Sequence, residues 1–209
     1  MTITIFGATG MVGKYLVQQA LLQDFTVRAF GRNILTKQYD HNEKLHLFSG
    51  ALFDETQVRE AIRGTDVVLS ALGGAFDGTD KTRSLGMKNI VLQMEKENVK
   101  RIVAIGGMGT LDSEDDEPIM NTAGYPKQFF AVGKEHYKAY EFLKASNLDW
   151  TFVCPPDILD APATGSFHTA ANHPPKENTF KINAGDLALF MLSEMKENHY
   201  LQQRVGISN

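Results

Sequence analysis

Short apolar runs recur along the chain, and each is followed by a stretch in which apolar residues return every three or four positions. Ile3, Ile5 and Phe6 mark a first strand and Met11–Leu22 a helix. Thr26–Phe30 and Leu45–Ser49 are strands again, with Glu55–Arg63 a helix behind them. Asp66–Ser70 predicts a strand and Lys81–Asn98 a helix, with Leu85, Ile90, Val91, Leu92 and Met94 available for its buried face. Arg101–Ile105 reads as a strand, Gln128–Ser146 as a helix and Asp149–Val153 as a strand. Strands with little polar alternation are covered on both faces, and alternating strands and helices predict an α/β fold with a doubly wound parallel sheet. After Val153 the rhythm breaks. Residues 154–178 hold five prolines, and a last helix runs over Asp186–Glu197. Residues 154–185 therefore predict a short irregular C-terminal cap over the carboxyl edge of the sheet, where open α/β sheets bind their ligands.

The 209 residues, 43% hydrophobic, suffice for one domain with its own core. A net charge of -4 argues against a nucleic-acid partner. No apolar run approaches the length of a membrane span, and no basic segment precedes the first strand, so neither a membrane partner nor a signal peptide is expected. One cysteine, Cys154, rules out a disulfide framework and fits a reducing, cytoplasmic setting with the thiol buried. His168 and His173 are five apart in the cap, which is poor ligand geometry, and no metal site is expected. Asp112–Glu117 carries five acids in six residues and reads as a solvated loop, the alternative being a lid that disfavours anions.

The most informative segment is Gly7-Ala8-Thr9-Gly10-Met11-Val12-Gly13, between the first strand and the first helix. Gly7 permits the tight turn, Gly10 lets the backbone approach a pyrophosphate, and Gly13 lets helix pack on strand. The pyrophosphate would rest on free N–H groups at the helix N-terminus. The end of the second strand then selects the dinucleotide. NAD sites place a carboxylate there for the ribose hydroxyls, whereas this chain reads Phe30-Gly31-Arg32-Asn33. A guanidinium suits a 2′-phosphate, so Arg32 points to NADP(H), with Lys37 available to add charge from the loop.

With these residues in view the chain resembles the atypical short-chain dehydrogenase/reductases, proteins with a Rossmann fold. GATGMVG (7–13), FGRN (30–33), DVVLSALGG (66–74), GMKNIV (86–91), KRIVAIGG (100–107) and KEHYKAYEFLKASNLDWTFVCPP (134–156) carry the likeness. Its compactness and PPDILDAPATGSF (155–167) make it similar to the flavin reductase/biliverdin-IXβ reductase branch, with the redox sensors of the NmrA type as relatives. The resemblance implies that Gly7, Thr9, Gly10, Met11 and Val12 hold the pyrophosphate and Arg32 the 2′-phosphate. It further implies that Ala51 and Leu52 flank the adenine, that Ala71, Leu72 and Gly73 pass beneath the nicotinamide ribose, and that Pro155 faces the nicotinamide. Relatives often carry at the place of Ala51 an Asp that touches the adenine amine; a backbone contact can survive its loss.

The catalytic positions depart from the family. Its active-site Ser or Thr would fall near Gly107, yet Gly106, Gly107 and Met108 have no hydroxyl. Its Tyr-x-x-x-Lys pair aligns as Phe130 and Lys134, so the lysine is present and the tyrosine is not. Lys134 is the one catalytic candidate, as a charge on the nicotinamide ribose. Tyr140 and Lys144 reproduce the spacing too late on the helix, and Tyr140 is expected to pack. His136, two residues beyond Lys134, is expected to point elsewhere. Without a phenol to protonate an alkoxide, the fitting hydride acceptor spreads its charge over a conjugated ring: a flavin, a quinone or a bilin. Tyr125, Phe129 and Phe130 offer either a wall for such a planar small molecule or ordinary packing. The competing reading is an NADP(H)-binding sensor without turnover.

Overall fold

The computed structural model describes residues 1–36 and 39–209. Its strands and helices follow in the order β1 (Thr2–Phe6), α1 (Met11–Leu22), β2 (Thr26–Gly31), β3 (Leu45–Ser49), α2 (Glu55–Ile62), β4 (Val67–Ser70), α3 (Thr82–Lys96) and β5 (Arg101–Ile105). There follow α4 (Lys127–Lys144), β6 (Asp149–Cys154), β7 (Asp157–Leu159), β8 (His168–Ala171), β9 (Lys181–Asn183), α5 (Ala184–Glu197) and β10 (Gln203–Ser208).

The main sheet is ordered β3-β2-β1-β4-β5-β6-β10-β8, parallel except for β8, which runs antiparallel to β10. Alternate residues of each strand feed two cores. Ile3, Ile5, Val27, Val67, Leu69, Val103 and Val153 face α1 and α5. Phe6, Phe30, Val68, Ile102, Ala104 and Phe152 face α2, α3 and α4. The chain is thus a doubly wound α/β fold, as its alternation predicts. Strand order reverses between β1 and β4, and the carboxyl ends of the strands there open the crevice in which such folds bind ligands.

Two expectations need correction. On α3, Leu85 and Leu92 are exposed by 47% and 39%, and Met87, Ile90, Val91 and Met94 are the buried apolar positions. At about 100° per residue, Leu85 and Leu92 share one side of the helix, opposite Ile90 and Met94. The cap is also more regular than its prolines suggest. It contributes β8 to the main sheet and pairs β7 with β9 in a parallel ribbon. β10, absent from the expected elements because its alternation is only Val205 and Ile207, lies between β6 and β8 with both of these buried.

The cap is fastened through Asp186 in the first turn of α5. Its carboxylate accepts from the Thr164 and Gly165 backbone N–H groups at 2.8 Å, from Thr164 Oγ1 at 3.0 Å, and from Asn209 Nδ2 at 2.9 Å. Across the sheet, Arg101 on β5 and Glu194 on α5 form a buried ion pair at 3.0 Å, and Thr151 donates to the same carboxylate at 2.9 Å. The acidic loop is pinned at one end, where Asp112 pairs with Arg204 of β10, while residues 114–117 are exposed to solvent.

Candidate functional site

The glycine turn is built as its spacing demands. Gly7 has φ +78°, and a Cβ on it would lie 2.3 Å from the Ala71 carbonyl oxygen. That contact brings the end of β4 alongside the turn. A Cβ on Gly13 would lie 2.1 Å from the Gly7 oxygen, so only glycine lets α1 sit this close to β1. Gly10 is the N-cap of α1 and supplies no side-chain cap, and the first turn has no acid. The N–H groups that open a helix have no partners within it, and here the end also carries undiminished positive partial charge. Thr9, Gly10 and Met11 are exposed and Val12 is buried. This is a cradle for an anion.

Gly31 ends β2 against the Thr9 methyl group, where a Cβ would be 3.3 Å away, so Arg32 emerges next to the glycine turn. Arg32 is exposed, and its carbonyl accepts from Ser49 Oγ at 3.2 Å. Arg28, inside β2, donates instead to the carbonyls of Ala61 and Arg63 at the end of α2. Lys37, the other cation expected here, lies outside the described residues. The groups present fit a dinucleotide phosphate: an open helix N-terminus for the pyrophosphate and a guanidinium nearby for a further phosphate.

Ala51, the residue expected beside the adenine, has its backbone engaged with α2. Its N–H donates to Gln57 Oε1 at 2.7 Å and its carbonyl accepts from the Asp54 N–H at 3.0 Å. Both backbone groups therefore serve the start of α2, the N–H being taken up by Gln57 while the carbonyl oxygen keeps a second lone pair. Leu52 packs on α3 at Gly86, where a Cβ would come within 2.3 Å of its Cδ2, and Leu72 packs on the same glycine.

At the other end of the crevice, Gly73 has open space around its Cα and is exposed. Pro155 is buried, and its carbonyl accepts from the Met108 N–H at 3.0 Å, which joins the ends of β5 and β6. The carboxyl ends of β1, β2, β4, β5 and β6 thus bring Gly7, Thr9, Gly10, Arg32, Ala71, Leu72, Gly73 and Pro155 to one edge of the sheet.

The helix that follows distributes its residues differently from expectation. Lys134 is exposed on the outer side of α4, its Nζ 4.5 Å from the centre of the Phe130 ring. His136 is the residue that faces the end of β5. A Cβ on Gly107 would lie 2.9 Å from His136 Cδ2, so the imidazole takes the space beside the glycine that replaces the family's hydroxyl. Helical spacing offered a signal, since His136 falls one turn from both buried Val132 and buried Tyr140. Tyr125 lies against Gly109 and Gly133, which is packing, whereas Phe130 and Phe76 are exposed by 39% and 61%. The Arg83 guanidinium lies 5.5 Å from the Phe76 ring and donates to the carbonyls of Gly74 and Ala75 at 2.9 Å.

Tyr140 is buried among Tyr137, Trp150 and Phe152. Burial pushes the Cys154 thiol up to about 12, against the weaker opposing effect of its hydrogen bond with Thr110 at 3.2 Å, so the sulfur carries no thiolate. His168 pairs with Glu177 at 3.2 Å and His173 Nδ1 lies 3.1 Å from the Asp112 carbonyl oxygen.

Residues 7–198 match the family described as NAD(P)H-binding. A protein of unassigned role from Bacillus subtilis, YwnB, is 23% identical over 99% of this chain and 98% of its own length. Among solved structures, a candidate exported protein of Burkholderia pseudomallei is 30% identical, with a TM-score of 0.84 and full coverage of both chains. A candidate NADH-flavin reductase of Streptococcus pneumoniae is 22% identical, with a TM-score of 0.85 over 100% of this chain and 99% of that one.

Proposed function

The chain belongs to the NAD(P)H-binding family, and from that premise we propose that it is an atypical short-chain dehydrogenase/reductase, an NADPH-dependent reductase of a flat conjugated acceptor: a flavin, a quinone or a bilin. The observation that supports this reading is the pairing of the two ends of the crevice. One end offers a helix N-terminus and Arg32 for phosphates. The other lacks a hydroxyl at Gly107, and Phe76, just beyond the end of β4, is exposed. When bound, NADPH would supply hydride, and the chain would hold its phosphates and align a planar ring by stacking, gaining rate through proximity. A planar small molecule is thus the partner proposed. A cytoplasmic setting belongs to the same reading, with Cys154 kept as a buried thiol.

The deciding experiment follows NADPH oxidation by the purified protein, without oxygen, across flavins, quinones and biliverdin. Turnover well above the uncatalysed rate is expected with at least one of them. Tight NADPH binding with every acceptor silent would overturn the reductase reading. It would favour a sensor, for which the missing Tyr and Ser speak; a sensor must bind the two redox forms with different affinity, because only differential binding shifts a conformation.

A further inference from the structure

His136 is half-buried on α4. Its ring lies in the space that a side chain at Gly107 would occupy, with Cδ2 2.9 Å from the place of that missing Cβ and Cγ and Nε2 each 3.3 Å from it. Nδ1 is enclosed and has no hydrogen-bond partner among the described residues. Burial, aided by the Arg83 guanidinium, pushes the imidazole down to about 3, so the ring is neutral near pH 7. A neutral imidazole carries one N–H. Enclosed N–H groups without acceptors are rarer than enclosed acceptors without donors, which assigns the proton to Nε2, on the Gly107 side. The neighbouring charges are committed elsewhere. Arg83 on α3 donates to Gly74 and Ala75, and Glu135 on α4 is held by Ser84 and by Lys81 at 3.0 Å. Among the described residues nothing engages Nε2, which stands beside Gly107, where the family's hydroxyl is missing.

The geometry points to His136 as a hydrogen-bond donor, through Nε2–H, to a carbonyl oxygen of the hydride acceptor. This rests on the reductase reading and narrows its acceptor to conjugated carbonyl compounds of the quinone class. In such a reduction the acceptor gains hydride, one hydrogen with two electrons, from the reduced nicotinamide, which is thereby oxidised. Negative charge collects on a quinone oxygen, Nε2–H holds that oxygen, and water supplies the proton that completes the quinol. His136 keeps its proton throughout. A preorganised neutral donor stabilises a developing oxyanion without proton transfer.

The test uses protein labelled with ¹⁵N at histidine, titrated with menadione in the presence of NADP⁺, a pair that cannot react for want of hydride. One imidazole, assigned by its disappearance in His136→Phe or His136→Gln, should be neutral with its proton on Nε2. Its Nε2 resonance should move when the quinone is added. An unmoved resonance at saturating quinone, or a proton on Nδ1, would overturn the assignment. In turnover, His136→Phe should keep its NADPH affinity while kcat falls roughly a hundredfold to a thousandfold, the range for losing one oxyanion donor. His136→Gln, which retains a donor, should recover part of that loss. A Phe variant that binds NADPH and turns over at the parental rate would also sink the role. If the parent protein reduces no acceptor, the reductase reading fails on its own account, and the menadione titration still decides for or against His136.

Discussion

Individual side chains decide which cofactor fits and how the site is charged. Arg32 stands at the end of β2 beside the glycine turn, and no carboxylate shares that place. Arg32→Asp should weaken NADPH binding by about tenfold to a hundredfold, the worth of one charge-assisted hydrogen bond, and shift the preference toward NADH. Fluorescence titration with both cofactors checks this, and an unchanged affinity ratio would remove Arg32 from the site. His136 has a consequence for stability as well. Its folded pKa lies near 3 against an ordinary 6.5, so between these values the unfolded chain binds a proton that the folded chain refuses. Its contribution is complete above pH 6.5 and declines as pH falls, by at most about 1.4 kcal/mol per pH unit. Denaturant unfolding at pH 6.5 and pH 5 should show a steeper loss in the parent than in His136→Phe. The roles expected of Gly7 and Gly13 were legible because conformation and close approach restrict those positions to glycine. His136 was not, because its meaning comes from Gly107, twenty-nine residues away in the chain.

Elements are held in place by contacts at their ends. Helix α1 reaches β1 only because Gly13 has no side chain: a Cβ would strike the backbone of Gly7 and Ala8, which has nowhere to move. Gly13→Ala should cost about 1–3 kcal/mol or more as overpacking, and should also misplace the helix N-terminus that NADPH needs. A lowered melting temperature together with weaker NADPH binding is the expected result; a variant with normal values of both would contradict the close-packing account. At the other end of the fold, Asp186 joins α5, the 164–165 turn and the C-terminus. Burial works to raise its pKa, but the hydrogen bonds from Asn209, Gly165 and Thr164 outweigh it and hold the carboxyl below its ordinary 3.8. Its contribution is therefore complete above that ordinary value and is lost as pH falls through the lowered one. Asp186→Ala leaves several buried donors unpaired and should destabilise by about 2–4 kcal/mol, measured by denaturant unfolding at neutral pH.

At the scale of the whole molecule, the sheet is completed by the last residues of the chain. β10 pairs with β6 on one side and β8 on the other, and Arg204 carries it to the Asp112 carboxylate beyond β5. Removing residues 199–209 would open the edge of β6, strand β8 without a partner, and expose the layer that Val205 and Ile207 close. Such a chain should lose cooperative thermal unfolding, followed by circular dichroism; a sharp transition close to that of the full chain would show that the sheet does not depend on β10.

The sequence by itself determined the elements through Val153, their parallel alternation and the glycine turn between β1 and α1. In each case the information is local: apolar period sets a strand or helix, glycine spacing sets a turn, and Arg32 follows a strand end directly. Only the tertiary structure decided which helix residues meet the end of β5, putting His136 there and Lys134 outside. It alone also made strands of His168–Ala171 and Gln203–Ser208, since the alternation of Val205 and Ile207 in the second is too short to place it between β6 and β8. Those segments are extended because neighbours supply their hydrogen bonds and buried faces, and a neighbour distant in sequence leaves no period to read.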